Sequence, residues 1–124
     1  MSPLIVLAED NSDLRHLLAG ALERVGYRVV QAETGARLVA LVQELLAAGE
    51  PPRVIITDVQ MPMGGGIDAA RALRDSGHAI PLIFMTAFGD TWTRSRAAEL
   101  GAVLLDKPLS LGVLRGAVER AIAA

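Results

Sequence analysis

Five polar residues that could take part in chemistry lie at the ends of short apolar runs. Glu9 and Asp10 follow the first run, Asp58 follows the third, Thr86 closes the fourth and Lys107 follows the fifth. Carboxylates that come together repel one another and resist ionisation unless a cation compensates their charge. If these residues meet, their three carboxylates predict a bound ion. Oxygen ligands without any cysteine favour a hard divalent cation such as Mg²⁺.

Lys107 is also unusual in the composition of the chain. It is the single lysine among twelve basic residues, and all the others are arginine. A general drift toward arginine explains the others, whereas the exception indicates a position where a planar guanidinium cannot replace a compact ammonium group. The alternative, that one lysine survived by chance, stays open.

The apolar runs and the segments between them predict how these residues are positioned. The runs have strand length and cover residues 4–8, 27–31, 53–57, 81–86 and 102–105, and helical periodicity covers 11–25, 35–48, 66–74, 91–100 and 109–122. This alternation predicts a doubly wound α/β domain, with a parallel sheet and helices on both of its faces. Ligands bind such sheets beyond the carboxyl ends of the strands, so the five polar residues should share one rim.

Composition limits the function classes. A length of 124 residues suits one domain, and 52% apolar with 21% charged residues predicts a compact fold. No apolar run reaches the roughly 18 residues of a membrane span, and the N-terminus lacks the pattern of a secretory signal, so we expect a cytoplasmic protein without a membrane partner. The net charge of −2 is dispersed along the chain, so we expect no direct binding to nucleic acid.

Four fragments together carry a family resemblance. They are Glu9-Asp10-Asn11, Thr57-Asp58-Val59-Gln60-Met61-Pro62, Met85-Thr86-Ala87 and Leu105-Asp106-Lys107-Pro108. In this order and spacing, the chain resembles the receiver domains of bacterial two-component response regulators. The resemblance spans residues 4–122 and implies that residues 1–124 form one receiver domain. Its fold would be a flavodoxin-like (βα)5 three-layer sandwich, with five parallel strands in the order 2-1-3-4-5.

The resemblance also implies roles for the acidic residues. Asp58 would accept a phosphoryl group from the phosphohistidine of a partner kinase. Asp10 would bind Mg²⁺ directly, Glu9 would hold the ion through water, and the backbone carbonyl of Gln60 would supply a further oxygen. A carboxylate that is ionised at neutral pH needs no general base to attack phosphorus, which suits Asp58 to this role.

The remaining implied roles concern the switch. Lys107 would pair with Asp58 at rest and with a phosphoryl oxygen after transfer, and a cis bond to Pro108 would aim it into the site. Thr86 would donate a hydrogen bond to the phosphoryl group. The expected partners are a sensor histidine kinase or phosphotransfer protein and a downstream protein, together with a phosphorylation-dependent dimer. We expect a switch with at most slow self-dephosphorylation rather than an enzyme.

The family pattern is not met at every position. Leu104 occupies the position of the usual switch aromatic and Leu109 that of a common phenylalanine, so the readout could use another element. Trp92 is one candidate for an exposed partner surface, and a buried packing role is the alternative. Residues 64–66, three glycines, are interpreted as a flexible turn.

Two other function classes are alternatives to a phosphoryl-accepting switch. An aspartate-nucleophile phosphatase would need a second acid two residues after Asp58, where this chain has Gln60. An interaction module that works without phosphorylation is suggested only by Leu104 and Leu109.

Overall fold

The computed structural model describes residues 2–124, so Met1, the first residue of the predicted domain, lies outside the described residues. Five strands alternate with five helices along the chain. In order, they are β1 (Leu4–Ala8), α1 (Ser12–Arg24), β2 (Arg28–Ala32), α2 (Gly35–Ala47), β3 (Val54–Asp58), α3 (Gly66–Asp75), β4 (Leu82–Thr86), α4 (Thr91–Glu99), β5 (Val103–Asp106) and α5 (Leu111–Ala123).

The strands form one parallel sheet in the order β2-β1-β3-β4-β5, which confirms the predicted topology. The three central strands β1, β3 and β4 are buried at every position, as their continuous apolar runs predict. Helices α1 and α5 pack on one face of the sheet, and α2, α3 and α4 pack on the other. The result is a three-layer sandwich. None of the helices in the described part of the chain is long and apolar enough to cross a bilayer.

Capping residues define where the helices begin. The side chains of Asn11, Thr34, Asp90 and Ser110 each accept a hydrogen bond from a backbone N–H in the first turn of the following helix. The cap at Ser110 starts α5 at Leu111, two residues later than the apolar pattern predicted. Hydrogen bonds from Thr93 lower the pKa of the Asp90 carboxyl group.

The buried stripe of helix α1 includes one charged residue. Leu17 and Val25 are exposed, whereas Arg15 is buried beside Leu18 and Leu22. The first turn of α1 lies over the polar rim of the sheet, where a guanidinium group finds acceptors that an apolar side chain would not need. Arg15 therefore shares the inward face of α1 with Leu18 and Leu22.

The glycine run is a site of close backbone approach. The N–H groups of Gly35 and Ala36, at the start of α2, donate to the carbonyl oxygens of Gly64 and Met63. A Cβ at Gly35 would overlap the Gly64 carbonyl, and a Cβ at Gly66 would overlap the Asp58 carbonyl oxygen. The loop after β3 thus supplies acceptors to the N-terminus of α2. Close backbone contacts, and not a need for flexibility, explain why glycine occupies these positions.

Candidate functional site

The predicted polar residues gather at the carboxyl rim of the sheet. The Lys107 ammonium lies 2.7 Å from Glu9 Oε1 and 2.8 Å from Asp58 Oδ2, so one cation bridges two carboxylates from different strands. In the sequence, Asp58 lies 49 positions and Glu9 lies 98 positions before Lys107. The parallel topology brings them together because β1 and β3 are adjacent and both end at this rim.

Glu9 is held by contacts on every polar group. Its side chain is 1% exposed, and Oε2 accepts a hydrogen bond of 3.1 Å from the Asn11 N–H. Its own N–H donates to the Ala32 carbonyl, and its carbonyl accepts from an Arg15 guanidinium N–H at 2.9 Å. A buried carboxylate needs this degree of compensation to remain charged. Glu9 is therefore a buried residue of the site whose position is fixed by its hydrogen bonds.

Asp10 differs from Glu9 because it is exposed. Among the described residues, no hydrogen bond to its carboxylate is found. Oxygen atoms from Glu9, Asp10 and Asp58 nevertheless lie within 4.8 Å of one another. This set of hard oxygen donors fits Mg²⁺, which keeps several waters and uses few protein ligands. Asp10 is the member of the set whose side chain faces solvent, where an ion would arrive.

Asp58 has both carboxylate oxygens engaged and is almost fully buried. Oδ2 accepts from Lys107, and Oδ1 accepts from the Gln60 N–H at 3.3 Å. The Gln60 side chain itself is exposed at the mouth of the site. No described residue donates a hydrogen bond to the Gln60 carbonyl oxygen, so this oxygen remains free for another ligand. These contacts fix the orientation of the Asp58 carboxylate.

Thr86 is at the rim, but its hydroxyl does not contact Asp58 or Lys107. Oγ1 accepts a hydrogen bond of 3.0 Å from the Phe88 N–H, and the side chain is buried. The Thr86 carbonyl accepts from the Lys107 N–H at 2.7 Å, and the Lys107–Pro108 peptide is cis. Because its oxygen acts as the acceptor here, the hydroxyl proton of Thr86 is still available to donate.

Opposing effects set the protonation of Lys107. Burial alone lowers the pKa of its ammonium group, but hydrogen bonds to Asp58 and Glu9 and their negative charges together raise that pKa above 10.5. Lys107 is therefore a full positive charge at neutral pH. It lies against the two buried carboxylates and compensates their negative charge.

The loop that follows Thr86 is tied to the end of β5. Arg94 Nε donates to the Gly89 carbonyl at 3.0 Å, and its Nη2 lies 3.2 Å from each carboxylate oxygen of Asp106. Leu104, in place of the expected aromatic, is half-buried against the core on the α2–α4 face of the sheet. The contact between Arg94 and Asp106 therefore links the Thr86 loop to the residue that precedes Lys107.

Two aromatic side chains near the site are exposed. Trp92 is 59% exposed and Phe88 is 69% exposed, and the guanidinium of Arg96 lies 5.7 Å from the centre of the Trp92 ring. The alternative of a buried packing role for Trp92 is therefore wrong. His16 is also exposed and makes no hydrogen bond among the described residues.

Sequence reasoning missed Arg15. The residue lies in a helix whose leucine spacing drew attention to the apolar face, and an arginine in such a helix is ordinarily assigned to solvent. A weak signal was present, since Arg15 is three residues before the buried Leu18 and therefore on its side of the helix. Its acceptors lie on β2 and in the segment after β1, and the sequence gives no direct indication of those contacts.

Comparisons with known proteins agree with this geometry. A family model described as the response regulator receiver domain matches residues 5–119. The response regulator receiver protein CpdR of Brucella abortus is 33% identical over 121 residues, which are 97% of this chain and 97% of that protein. The transcriptional regulatory protein PdtaR of Mycobacterium tuberculosis is 36% identical over 120 residues, which are 95% of this chain but 56% of that protein.

Solved structures give the same result. The receiver domain of HemR from Leptospira biflexa has a TM-score of 0.85 and 31% identity, with 99% of this chain and 96% of that chain covered. The chemotaxis protein CheY4 of Vibrio cholerae has a TM-score of 0.87 with 98% and 99% coverage, and at 23% identity it supports the fold alone. The matching family model, the full-length relative and the acidic rim lead to one conclusion: this chain belongs to the receiver domain family of two-component response regulators.

Proposed function

We propose that Asp58 is the phosphoryl acceptor of this receiver domain and that Mg²⁺ binds beside it. The observation that carries the proposal is the bridge from Lys107 to both Asp58 and Glu9, at 2.8 and 2.7 Å, next to the exposed carboxylate of Asp10. This arrangement supports the proposal, because a carboxylate that can act as a nucleophile, a cation and a set of hard oxygen donors lie close together. Asp10, Asp58 and the Gln60 carbonyl would hold the ion directly, and Glu9 would act through water.

The transfer step needs positioning more than proton chemistry. The P–N bond of a phosphohistidine breaks with its electron pair going to the imidazole nitrogen, while a P–O bond forms to an Asp58 oxygen. Asp58 is aimed by Lys107 and by the Gln60 N–H, and no general base is required. Bound Mg²⁺ supplies charge neutralisation for the phosphoryl oxygens. Lys107 then exchanges its contact with Asp58 for one with a phosphoryl oxygen.

The switch depends on the hydroxyl group of Thr86, whose proton is available for a hydrogen bond. Thr86 already accepts from Phe88, so its O–H can be donated to a phosphoryl oxygen on Asp58. A ligand shifts a conformational equilibrium only by its differential contacts with the two states, and this hydrogen bond is such a contact. The partner-binding face proposed for the phosphorylated form comprises α4, β5 and α5, with the exposed Trp92 at its edge.

The wider setting is part of the same proposal. The phosphoryl donor is a sensor histidine kinase or phosphotransfer protein, and the recipient of the signal is a downstream protein or a second copy of this chain. Residues 1–124 act as one domain in the cytoplasm, and self-dephosphorylation is slow. The exposed Gln60 supports this slow rate, because its side chain carries no acid to activate water.

Incubation with Mg²⁺ and acetyl phosphate, followed by intact-mass measurement, tests the proposal. We expect a single phosphoryl-sized mass gain in the wild type and none in Asp58→Asn. Asp75→Asn is the matched control, since Asp75 is an exposed aspartate at the end of α3 and should leave the gain unchanged. Chelation of Mg²⁺ should suppress the gain. A wild-type protein that gains no mass, or that turns over a phosphate ester repeatedly, contradicts the proposal.

A further inference from the structure

Arg15 is a buried charge to which the phosphoryl-acceptor chemistry assigns no role. It is 8% exposed, although arginine is almost never buried without a specific partner. Its Nη1 donates to the Glu9 carbonyl at 2.9 Å, and its Nε donates to the Gln31 side chain at 3.1 Å. One guanidinium therefore connects α1 with the segment that follows β1 and with β2.

The bond to the Glu9 carbonyl acts on Asp10 through the peptide group. The carbonyl oxygen of Glu9 and the N–H of Asp10 belong to the same planar unit, so fixing one fixes the direction in which the chain enters Asp10. Glu9 and Asp58 have carboxylates aimed by Lys107, Asn11 or Gln60. In the described part of the chain, the Asp10 carboxylate accepts no such bond. Its position in the ligand set therefore depends on its backbone.

We propose that Arg15 is a positioning residue for the metal site and that it acts by holding the Glu9–Asp10 peptide group. This inference rests on the proposed Mg²⁺ site. Arginine suits the task because its planar fork reaches two acceptors in fixed directions, and the point charge of a lysine does not. The hydrogen bond to the Gln31 side chain holds the guanidinium in place. The hydrogen bond from Arg15 to the Glu9 carbonyl can therefore persist when an ion binds Asp10.

Arg15 has two opposing effects on the affinity of the site for Mg²⁺. A positive charge close to a cation site weakens metal binding by repulsion, whereas correct aim of a ligand strengthens it. Loss of a hydrogen-bond partner behind a metal ligand typically costs about 10–100-fold in metal affinity. We therefore expect the Kd for Mg²⁺ to rise when Arg15 is removed. If repulsion were larger, that Kd would fall.

The test is Mg²⁺ titration followed by amide NMR shifts, with no phosphoryl donor present. Arg15→Met should raise the Kd by about 10–100-fold, and Arg15→Lys should fail to restore the wild-type value. Arg24→Met, an exposed arginine in the last turn of the same helix, is the control and should change nothing. At saturating Mg²⁺, acetyl phosphate should modify Arg15→Met at a rate close to that of the wild type, because only ion binding is impaired.

The outcomes separate this inference from the proposed function. If the wild-type chain neither binds Mg²⁺ nor accepts a phosphoryl group, the proposed function itself is wrong. A functional wild type with an unchanged or lower Kd in Arg15→Met overturns only the positioning role, even if thermal stability falls. If Arg15→Met does not fold, Gln31→Met decides. This substitution keeps the hydrogen bond from Arg15 to Glu9 but removes the one to Gln31 that holds the guanidinium in place. It should raise the Kd for Mg²⁺ by a smaller factor than Arg15→Met. An unchanged Kd overturns the inference.

Discussion

Lys107 shows how two opposed effects settle the charge of one residue. Burial favours a neutral amine, but two carboxylates within 2.8 Å favour the ammonium form more strongly, so the pKa in the folded state lies above its ordinary value of 10.5. A group whose pKa is raised by folding stabilises the folded state at every pH at which it is protonated in both states. This contribution is therefore complete below about pH 10.5 and is lost as the pH rises through the higher folded value.

The pH dependence of stability tests this balance. We expect the free energy of unfolding of the wild type to exceed that of Lys107→Met at about pH 8, and the difference to shrink between about pH 10 and 12. Urea denaturation at several pH values measures it. Subtracting the variant cancels other groups that titrate in this range, and Lys107 is the only lysine in the chain. A difference that stays constant up to about pH 12 contradicts the assignment.

A second feature at this scale is the contrast between Glu9 and Asp10. Glu9 is buried and bonded on all sides, whereas Asp10 is exposed at the mouth of the same pocket. These neighbours in sequence thus have different environments, because Glu9 follows directly on a buried strand and Asp10 faces solvent. The spacing of acids in the sequence indicates both residues but does not distinguish their environments.

Among the elements, the loop after β3 is defined by close backbone contacts. Gly66→Ala would place a methyl group against the Asp58 carbonyl and 2.8 Å from Thr57 Oγ1. We expect the variant to lose about 1–3 kcal/mol of stability and to accept phosphoryl groups more slowly, because Asp58 must move. Chemical denaturation and the acetyl phosphate reaction measure the two effects.

Gly20→Ala is the control for that substitution. Gly20 lies inside α1, and a Cβ there would meet no atom of the described residues within 4 Å apart from the neighbouring backbone of its own helix. We expect a stability gain of about 0.5–1 kcal/mol, since alanine favours a helix over glycine. Equal behaviour of the two variants would show that the β3 loop does not require glycine at position 66.

Arg74 joins α3 to two other segments. Its guanidinium donates to the carbonyls of His78, Ile80 and Leu100 at 2.8–3.3 Å, and burial lowers its pKa. Arg74→Met should cost about 2 kcal/mol, because it leaves partly buried carbonyl oxygens without donors. Urea denaturation of the variant provides the measurement.

Arg71→Met, on the same helix, is the matched control for Arg74→Met. Within residues 2–124, the Arg71 side chain reaches only an exposed Glu99, at 3.8 Å. We expect it to change stability by less than about 0.5 kcal/mol. If the two substitutions cost the same, the carbonyl contacts of Arg74 contribute little to stability.

For the whole molecule, binding and folding are linked through the acidic rim. An ion that binds only the folded chain stabilises it by RT ln(1 + [L]/Kd), which is about 2.7 kcal/mol at 100 times the Kd. We expect Mg²⁺ to raise the melting temperature of the wild type and to raise that of Asp10→Asn much less. Differential scanning calorimetry with and without Mg²⁺ measures this. Equal shifts in both proteins would place the ion elsewhere.

Much of the architecture was predictable from the sequence because the alternation of continuous apolar runs with helical segments leaves few topologies. The same reasoning placed Glu9, Asp58 and Lys107 at one rim, since all three follow strands of a parallel sheet. Arg15 could not be predicted in this way, because its burial depends on acceptors supplied by β2 and by the segment after β1. The close approach of Gly35 to the β3 loop is likewise a contact between distant segments. The start of α5 at Leu111 could have been predicted from the sequence, because Ser110 is a typical N-cap residue. The apolar pattern instead favoured a start at Leu109.

The most direct test of the account is to locate the phosphoryl group. After reaction with acetyl phosphate and Mg²⁺, borohydride reduces an aspartyl phosphate to homoserine, and peptide mass mapping finds the changed residue. The account predicts conversion at position 58 alone, with none when Mg²⁺ is chelated. Conversion at Asp10 or another acid, or a phosphorylated chain without any reducible acyl phosphate, would contradict it.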